Sequence, residues 1–551
     1  MLWSVGFHVS IGTLSAGERC VQGLMQRHEL LISSIITHAA RHHGDGEIVS
    51  RRNDGSLART TWSALEERAR RLVSVLAALG VKAGDRVGTL AMNSDRHMEL
   101  YYAISGMGAV CNTINPRLLP DDIAYIVDHA EDGVIFCDPQ FLPILRAIAP
   151  KVRCLRAVVV LDDTAPETQL PVPLYAYEDL LATADAIPQW PRFDENTASG
   201  LCYTSGTTGR PQGVLYSHRA CLLHAMMTNA ADVVGLRATD RALAIVPMFH
   251  VNAWGLPYAA PMAGAALLMP GAALDAPSLL ALMDQERATM SVGVPTIWMN
   301  LLGHLRDTGQ KPKTLKRIMI GGAAMPRMLM EAYNEMGIRV NQGWGMTESS
   351  PVVTLNAPKP ACFRLEGEAQ ASRRCAQGRV LFGTDVRAVD DEGKEVPWDG
   401  QTPGHMMFRG PWIASGYYRM PPNEGEWLAT GDVGVIDKDG FITLTDRAKD
   451  LIKSGGEWIS SIAIENIAVA HPDVAEAAAI AMPDEKWGER PLLIVVPRPG
   501  CTPDPDALRE FCRGKLPDWS LPDKVMIADS LPHGATGKIL KTELRKIYAG
   551  A

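Results

Sequence analysis

The stretch YTSGTTGRPQGV, Tyr203–Val214, is made of residue types that bind a polar anion. Gly206, Gly209 and Gly213 leave backbone N–H groups open, and Thr204, Ser205, Thr207 and Thr208 add hydroxyl donors. Together these could cradle phosphate oxygens. The same composition also suits a plain turn. Apolar, strand-like pieces flank the stretch, SGLCY before it and VLY after it, and a helix begins only after Ser217. That is not the strand–loop–helix order of a Walker A loop, and GxxxxGK[ST] is absent. Residue 212, where phosphate loops commonly carry a lysine, is glutamine.

The elements that must position this loop follow from the rest of the chain. A net charge of −8 gives no general attraction for nucleic acid or an anionic membrane, so an anion must be held by a local arrangement. Ten cysteines without a CxxC pair read as reduced thiols of a cytoplasmic protein, and no zinc-ligand spacing occurs. Val251–Leu274 carries no charge, but Pro257, Pro261 and Pro270 predict a buried helix and strand there, not a membrane span. A chain of 551 residues calls for at least two domains.

Thr61–Leu79 sets Leu65, Ala69, Leu72, Val73 and Leu76 on one helical face. Short β-rich runs such as GVIFCD, AVVVLD and ALAIVP alternate with helices, which predicts an α/β fold with a substantially parallel sheet. After about residue 380, VRAVDDEGKEV, HMMFRG and GVIDKDGFITLTD read as β-hairpins. The last hundred or so residues read as a small α+β module, with helices at Ile462–Ala470 and from Asp506 to Lys515. The expected layout is an unstructured extension over 1–27, a large α/β domain with a β-rich subdomain over 28–447, and a small domain over 448–551.

Further motifs follow the loop in order: GGAAMP (Gly321–Pro326), QGWGMTE (Gln342–Glu348), TGD (Thr430–Asp432), DRAKDLIKSGGEW (Asp446–Trp458) and ATGK (Ala535–Lys538). With YTSGTTG, they make the chain from about residue 28 to 548 resemble the adenylate-forming enzymes, which include acyl-CoA synthetases, nonribosomal-peptide adenylation domains and beetle luciferases. The resemblance implies packed α/β sheets, a mobile C-terminal lid, and dependence on ATP, Mg²⁺ and CoA. A carboxylate would attack the α-phosphate of ATP, and the acyl group would then pass to a thiol.

The same resemblance implies the roles of individual residues. Thr204, Ser205, Gly206, Thr207, Thr208 and Gly209 would hold the β- and γ-phosphates. Thr347 would bind the α-phosphate and Glu348 the Mg²⁺. Gly321, Gly322 and Ala323 would let the backbone approach the purine, and Trp344, between Gly343 and Gly345, would stack on it. Asp432 would accept the ribose hydroxyls, and Arg447 would pin ribose and phosphate. Lys538 would bridge the carboxylate and the α-phosphate. Lys449 matches the hinge of the lid, whose other face carries Ser454, Gly455, Gly456, Glu457 and Trp458 for CoA.

MFHVNAWGLPY and KSGGEWIS resemble the fatty-acid branch, with His250 beside the carboxylate and Trp254 gating an acyl tunnel. A medium- to long-chain fatty acid is the expected substrate. The runner-up is 3-methylthiopropionate, whose ligases share both signatures. An oxidase of the luciferase kind fits the SGGEW segment less well. A non-catalytic relative would be expected to lose Lys538, Glu348 or Asp432, and all three are present. Gln212 predicts weakened handling of ATP or pyrophosphate, offset in part by Arg210. The expected partners are the acid, ATP and CoA, without nucleic acid or a membrane span, and a homodimer is compatible with this reading.

Overall fold

The computed structural model of the protein describes residues 23–204, 210–454, 457–534 and 538–548. Most of the expected N-terminal extension therefore lies outside the described residues; residues 23–31 carry no regular structure. The described strands form four sheets.

One sheet runs in the order Leu174–Ala176, Ala157–Val160, Val134–Cys137, Arg86–Leu90, Val110–Thr113, Ala198–Thr204, Gln212–Ser217. It is parallel except for the last pair. A nine-stranded sheet has a parallel centre running through Arg339–Gly345, Arg317–Ile320, Met290–Gly293, Arg241–Ala244, Ala266–Met269 and Glu47–Arg51, with antiparallel strands at both edges. Strands such as VIFC, AVVV and ALLM are buried along their whole length, as expected where helices cover both faces of a parallel sheet.

Local chemistry accounts for the elements around these sheets. Thr61 caps the helix Trp62–Ala78 by accepting from the Ala64 N–H, and the five apolar residues expected on one face are buried. The charge-free segment folds as the helix Leu256–Ala263 and the strand Ala266–Met269. Among the described residues, no helix is long and apolar enough to cross a membrane. Two local expectations change. VRAVDDEGKEV does not close a full hairpin: Asp385–Val389 pairs with Gly404–Arg409, leaving one Val389–Glu395 bridge. Pro397 follows that bridge and cannot donate to a ladder. The helix expected to reach Lys515 ends at Cys512, two residues before Gly514 adopts φ +76°.

Asp385–Val389, Gly404–Arg409, Leu428–Ile436 and Ile442–Arg447 make an antiparallel sheet, and the strands from Ile452 to Ile527 make a separate small one. The molecule is thus mixed α/β, with a large N-terminal part and a small C-terminal part. The arrangement has one consequence for chemistry. His250, Gly321 and Thr347 each follow the carboxyl end of a parallel strand in the nine-stranded sheet, and Thr204 closes a strand of the other. Crevices outside the carboxyl ends of parallel strands are where open α/β sheets bind ligands.

A buried polar pair lies at the seven-stranded sheet. Asn112 Nδ2 donates to Asp132 Oδ2 at 2.6 Å, while among the described residues Asp132 Oδ1 and Asn112 Oδ1 have no partner. Burial pushes the Asp132 carboxyl well above the usual carboxylate range. A raised folded pKa contributes stability that is complete below the unfolded value of about 4 and is lost as pH rises through the folded value. Asp132→Asn should therefore gain on the wild type as pH rises above about 4, by up to about 1.4 kcal/mol per pH unit. Urea denaturation of both proteins at pH 5 and pH 8 checks this; a pH-independent difference would contradict it.

Candidate active site

Glu348 is a buried acid at the carboxyl edge. It is 5% exposed, and its Oε1 accepts from the Tyr417 hydroxyl at 2.7 Å. Its carbonyl accepts from Ala414 N at 2.7 Å, and the preceding Thr347 carbonyl accepts from the Tyr216 hydroxyl at 2.7 Å. Burial and the neighbouring carboxylate push the Tyr417 hydroxyl up, so it stays a donor at neutral pH. Among the described residues, no three His, Cys, Asp or Glu side chains gather as a metal cage. A single fixed carboxylate suits an ion such as Mg²⁺, which is mostly held by phosphates and water.

Asp432 and Arg447 are cross-strand partners in the antiparallel sheet, and Arg447 Nε stands 2.7 Å from Asp432 Oδ1. The other oxygen, Oδ2, accepts from Trp344 Nε1 at 2.8 Å. The Trp344 ring centroid lies 4.5 Å from that of Phe408. Burial raises the Asp432 pKa, against the pull of Arg447, Trp344 and Lys538. Lys538 itself is pushed down to about 8 by burial and by Arg447, while Asp432 and Glu348 oppose that shift. Burial, with the charge of Lys538, brings the His250 imidazole down to about 4, so His250 is neutral at physiological pH. The small C-terminal part thus turns Lys538 in among Asp432, Arg447, Glu348 and His250.

Beyond His250 the chain does something unusual. Val251, Asn252, Ala253, Trp254 and Gly255 all have positive φ, from 38° to 79°. For residues with a Cβ the left-handed region costs about 1–2 kcal/mol each. The turn is braced from below: the Tyr101 hydroxyl donates to the Met248 carbonyl at 2.5 Å, with Asn252 Oδ1 at 3.2 Å. The Tyr102 hydroxyl donates to the Pro257 carbonyl at 2.7 Å. The turn lays the Trp254 indole on Gly321 and Gly322. A Cβ at Gly321 would meet Trp254 Cη2 at 3.1 Å, and one at Gly322 would meet Val294 Cγ1 at 3.2 Å and Lys538 Cε at 3.9 Å. These glycines therefore make room for the indole.

Around the loop, Thr204 and Gln212 are cross-strand partners, while Ser205, Gly206, Thr207, Thr208 and Gly209 lie outside the described residues. Gln212 Nε2 is 3.5 Å from Met420 Sδ, and the Arg210 guanidinium stands over the Tyr125 ring at 5.0 Å. Arg210, expected to offset the missing charge in part, stands on an aromatic face. Tyr418 N donates to the Gly213 carbonyl at 2.7 Å. The segment bearing Tyr417 therefore ties the loop's outgoing strand to Glu348. Tyr216 and Tyr417 escaped sequence reasoning because the tyrosines of GVLYS and SGYYR carry no spacing that tells them from core.

In the C-terminal part, the Asp446 carboxylate accepts from the Ser461 N–H at 2.7 Å. Lys449 is exposed, and its carbonyl accepts from Arg545 Nη2 at 3.2 Å, while Arg545 pairs with Asp450 at 2.5 Å. Ser454 is buried and accepts from Arg490 Nη1 at 3.0 Å. Gly455 and Gly456, with the side chains of Glu457 and Trp458, lie outside the described residues.

Known proteins with this arrangement are close. A family model described as AMP-binding enzyme matches residues 36–418, and one described as AMP-binding enzyme C-terminal domain matches residues 463–538. The chain is 48% identical to the 3-methylmercaptopropionyl-CoA ligase of Ruegeria lacuscaerulensis, over 96% of this chain and 99% of that one. It is 45% identical to the medium-chain-fatty-acid–CoA ligase of Ectopseudomonas oleovorans, over 96% and 97%. The crystal structure of an anthranilate CoA ligase with anthranoyl-AMP superposes with a TM-score of 0.83, at 25% identity over 94% of this chain and 97% of that one. Both parts of one family follow in order along nearly the whole chain, so the protein belongs to the AMP-binding enzymes and is an AMP-forming acyl-CoA synthetase that uses ATP, Mg²⁺ and CoA.

Proposed function

We propose that the protein activates a medium- to long-chain fatty acid as its acyl-AMP and passes the acyl group to CoA. The observation that carries this reading is the Trp254 indole lying on Gly321 and Gly322 beside Val294 and Lys538. An acid whose carboxylate meets the Lys538 ammonium would have its tail against an apolar wall, which favours a plain hydrocarbon chain. A second reading is 3-methylthiopropionate, a short acid that the same apolar wall would accept. The close relative from Ruegeria also favours it. Pyrophosphate release with CoA across acids from propionate to palmitate, including 3-methylthiopropionate, separates the two. Trp254→Ala should move the optimum of kcat/KM toward longer chains, and an unchanged profile would remove Trp254 from the acyl site.

In this reading Lys538 offsets the repulsion between carboxylate and α-phosphate as the new bond forms. Thr347 donates to the α-phosphate. Glu348, held by Tyr417, would ligate Mg²⁺, which when bound spreads the phosphate charge. Asp432 and Arg447 orient the ribose, Trp344 faces the adenine, and the loop from Thr204 to Gly209 holds the β- and γ-phosphates. Rotation near Lys449 would then replace Lys538 by the face carrying Ser454 to Trp458 for CoA, and closure would keep water from the mixed anhydride.

Lys538→Ala should lower acyl-AMP formation by at least about a hundredfold while leaving CoA transfer from supplied acyl-AMP nearly intact. Equal losses in the two half-reactions would refute the assignment. In nucleotide-free enzyme Lys538 loses its proton near pH 8. The kcat/KM for ATP should therefore fall above about pH 8, because this ratio reports the free enzyme. Lys538→Arg should move that limb to higher pH. Tyr417→Phe should raise the Mg²⁺ concentration needed for half-maximal adenylation by about tenfold, the worth of one charge-assisted hydrogen bond, and leave the KM for CoA unchanged.

A further inference from the structure

Lys449, the hinge of the proposed rotation, lies between the antiparallel sheet that ends at Arg447 and the small C-terminal part, and hydrogen bonds cross it. The helix Ser461–Val469 belongs to the small part, where Ile464 and Ala468 are buried with Ile452, Val474 and Leu493. Its first turn nevertheless rests on the strand Ile442–Arg447. The buried Asp446 carboxylate accepts through Oδ2 from the Ser461 N–H at 2.7 Å and from the Ser461 hydroxyl. The Ser460 hydroxyl donates to the Thr445 carbonyl.

The last helix, Lys541–Ile547, joins the same contact. Lys541 Nζ donates to the Ser461 hydroxyl oxygen and stands 2.6 Å from Glu465 Oε1, which also accepts from Ala479 N at 2.8 Å. Burial opposes the charge of Lys541, but Glu465 and Asp446 outweigh it and raise the pKa. The chain around Lys538 is tied to the start of this helix: Gly534 N donates to the Lys538 carbonyl at 2.7 Å and Leu540 N to the Pro532 carbonyl at 2.8 Å. Three stretches therefore meet at one hydroxyl. Asp446 comes from before the hinge, Ser461 from just after the segment Ser454–Trp458, and Lys541 from just after Lys538.

We infer that Asp446, Ser461 and Lys541 are positioning residues that latch the small part in the orientation presenting Lys538 to the site, and that this latch opens before CoA transfer. The inference rests on the rotation proposed near Lys449. In that rotation Asp446 stays with its sheet, whereas Ser461 and Lys541 travel with the small part. A hydrogen bond from a backbone N–H is directional, so turning Ser454–Trp458 toward the site breaks the bonds to Asp446. Opening strands no charge. Lys541 keeps Glu465, which travels with it, while Asp446 gains water and keeps the Arg447 N–H, which its Oδ1 accepts at 2.7 Å. A buried ion left without any partner would make such opening too costly.

The test follows the two half-reactions separately on the full-length enzyme, with the acid that the pyrophosphate-release series selects. One is a single turnover of acyl-AMP formation at saturating ATP without CoA; the other is CoA transfer from supplied acyl-AMP. Ser461→Ala should lower the first rate by about tenfold, the worth of one charge-assisted hydrogen bond, and leave the second at or above the wild-type rate. Asp446→Asn should divide the half-reactions in the same direction. Ser461→Ala leaves the Asp446 bond to Arg447 in place, so its effect does not pass through the ribose contact. Equal losses in both half-reactions, or no loss in either, would overturn the latch. If Lys538→Ala still separates the half-reactions in that event, the two-face reading survives without it. If Lys538→Ala does not separate them, that reading falls as well.

Discussion

The Asp432 carboxylate is the interaction on which the site's geometry depends. It is buried, and it shares its two oxygens between Arg447 on the adjacent strand and Trp344 from the nine-stranded sheet. A buried carboxylate is costly unless its charge is balanced, so the partners are held in place by the penalty of leaving it alone. Those partners come from two sheets, and a further cation that acts on Asp432, Lys538, comes from the C-terminal part. One side chain therefore registers three pieces of the molecule against one another.

A similar logic governs charge across the cleft. With a net charge of −8 the chain cannot draw in a polyanion by its overall field, so cations must be few and local. Burial and the charge of Arg447 lower the tendency of Lys538 to stay protonated, and Asp432 with Glu348 counters this. His250 is kept neutral by burial and by Lys538. A neutral imidazole beside a charged lysine forms a polar wall that does not compete for an anionic substrate.

The apolar side of the cleft rests on strain. Four residues with a Cβ adopt left-handed backbone between His250 and Gly255, and two buried tyrosines brace the turn. Below it, Val352 N donates to His224 Nε2 at 3.2 Å, and a Cβ on Gly255 would meet the same imidazole at 3.1 Å. The turn that aims Trp254 and the turn that carries Glu348 thus share one supporting ring. Strain persists only where the surroundings over-determine it, which they do here.

The alternation of β-rich runs and helices, the apolar face of the helix Trp62–Ala78 and the order of the family's motifs were legible in the sequence. Each depends on residues close together in the chain: periodicity decides which face is apolar, and short motifs carry their own backbone demands. The end of the helix at Cys512 and the failed hairpin before Pro397 were misread because they turn on a single residue's backbone freedom. What only the tertiary structure decided is who meets whom. Tyr417 reaches Glu348 across 69 positions, Arg117 reaches Phe249, and Trp254 finds its seat on Gly321, while Arg210 is taken up by Tyr125. No local pattern encodes these pairings, because they follow from the order in which strands assemble into sheets, and that order is set by burial summed over the whole chain.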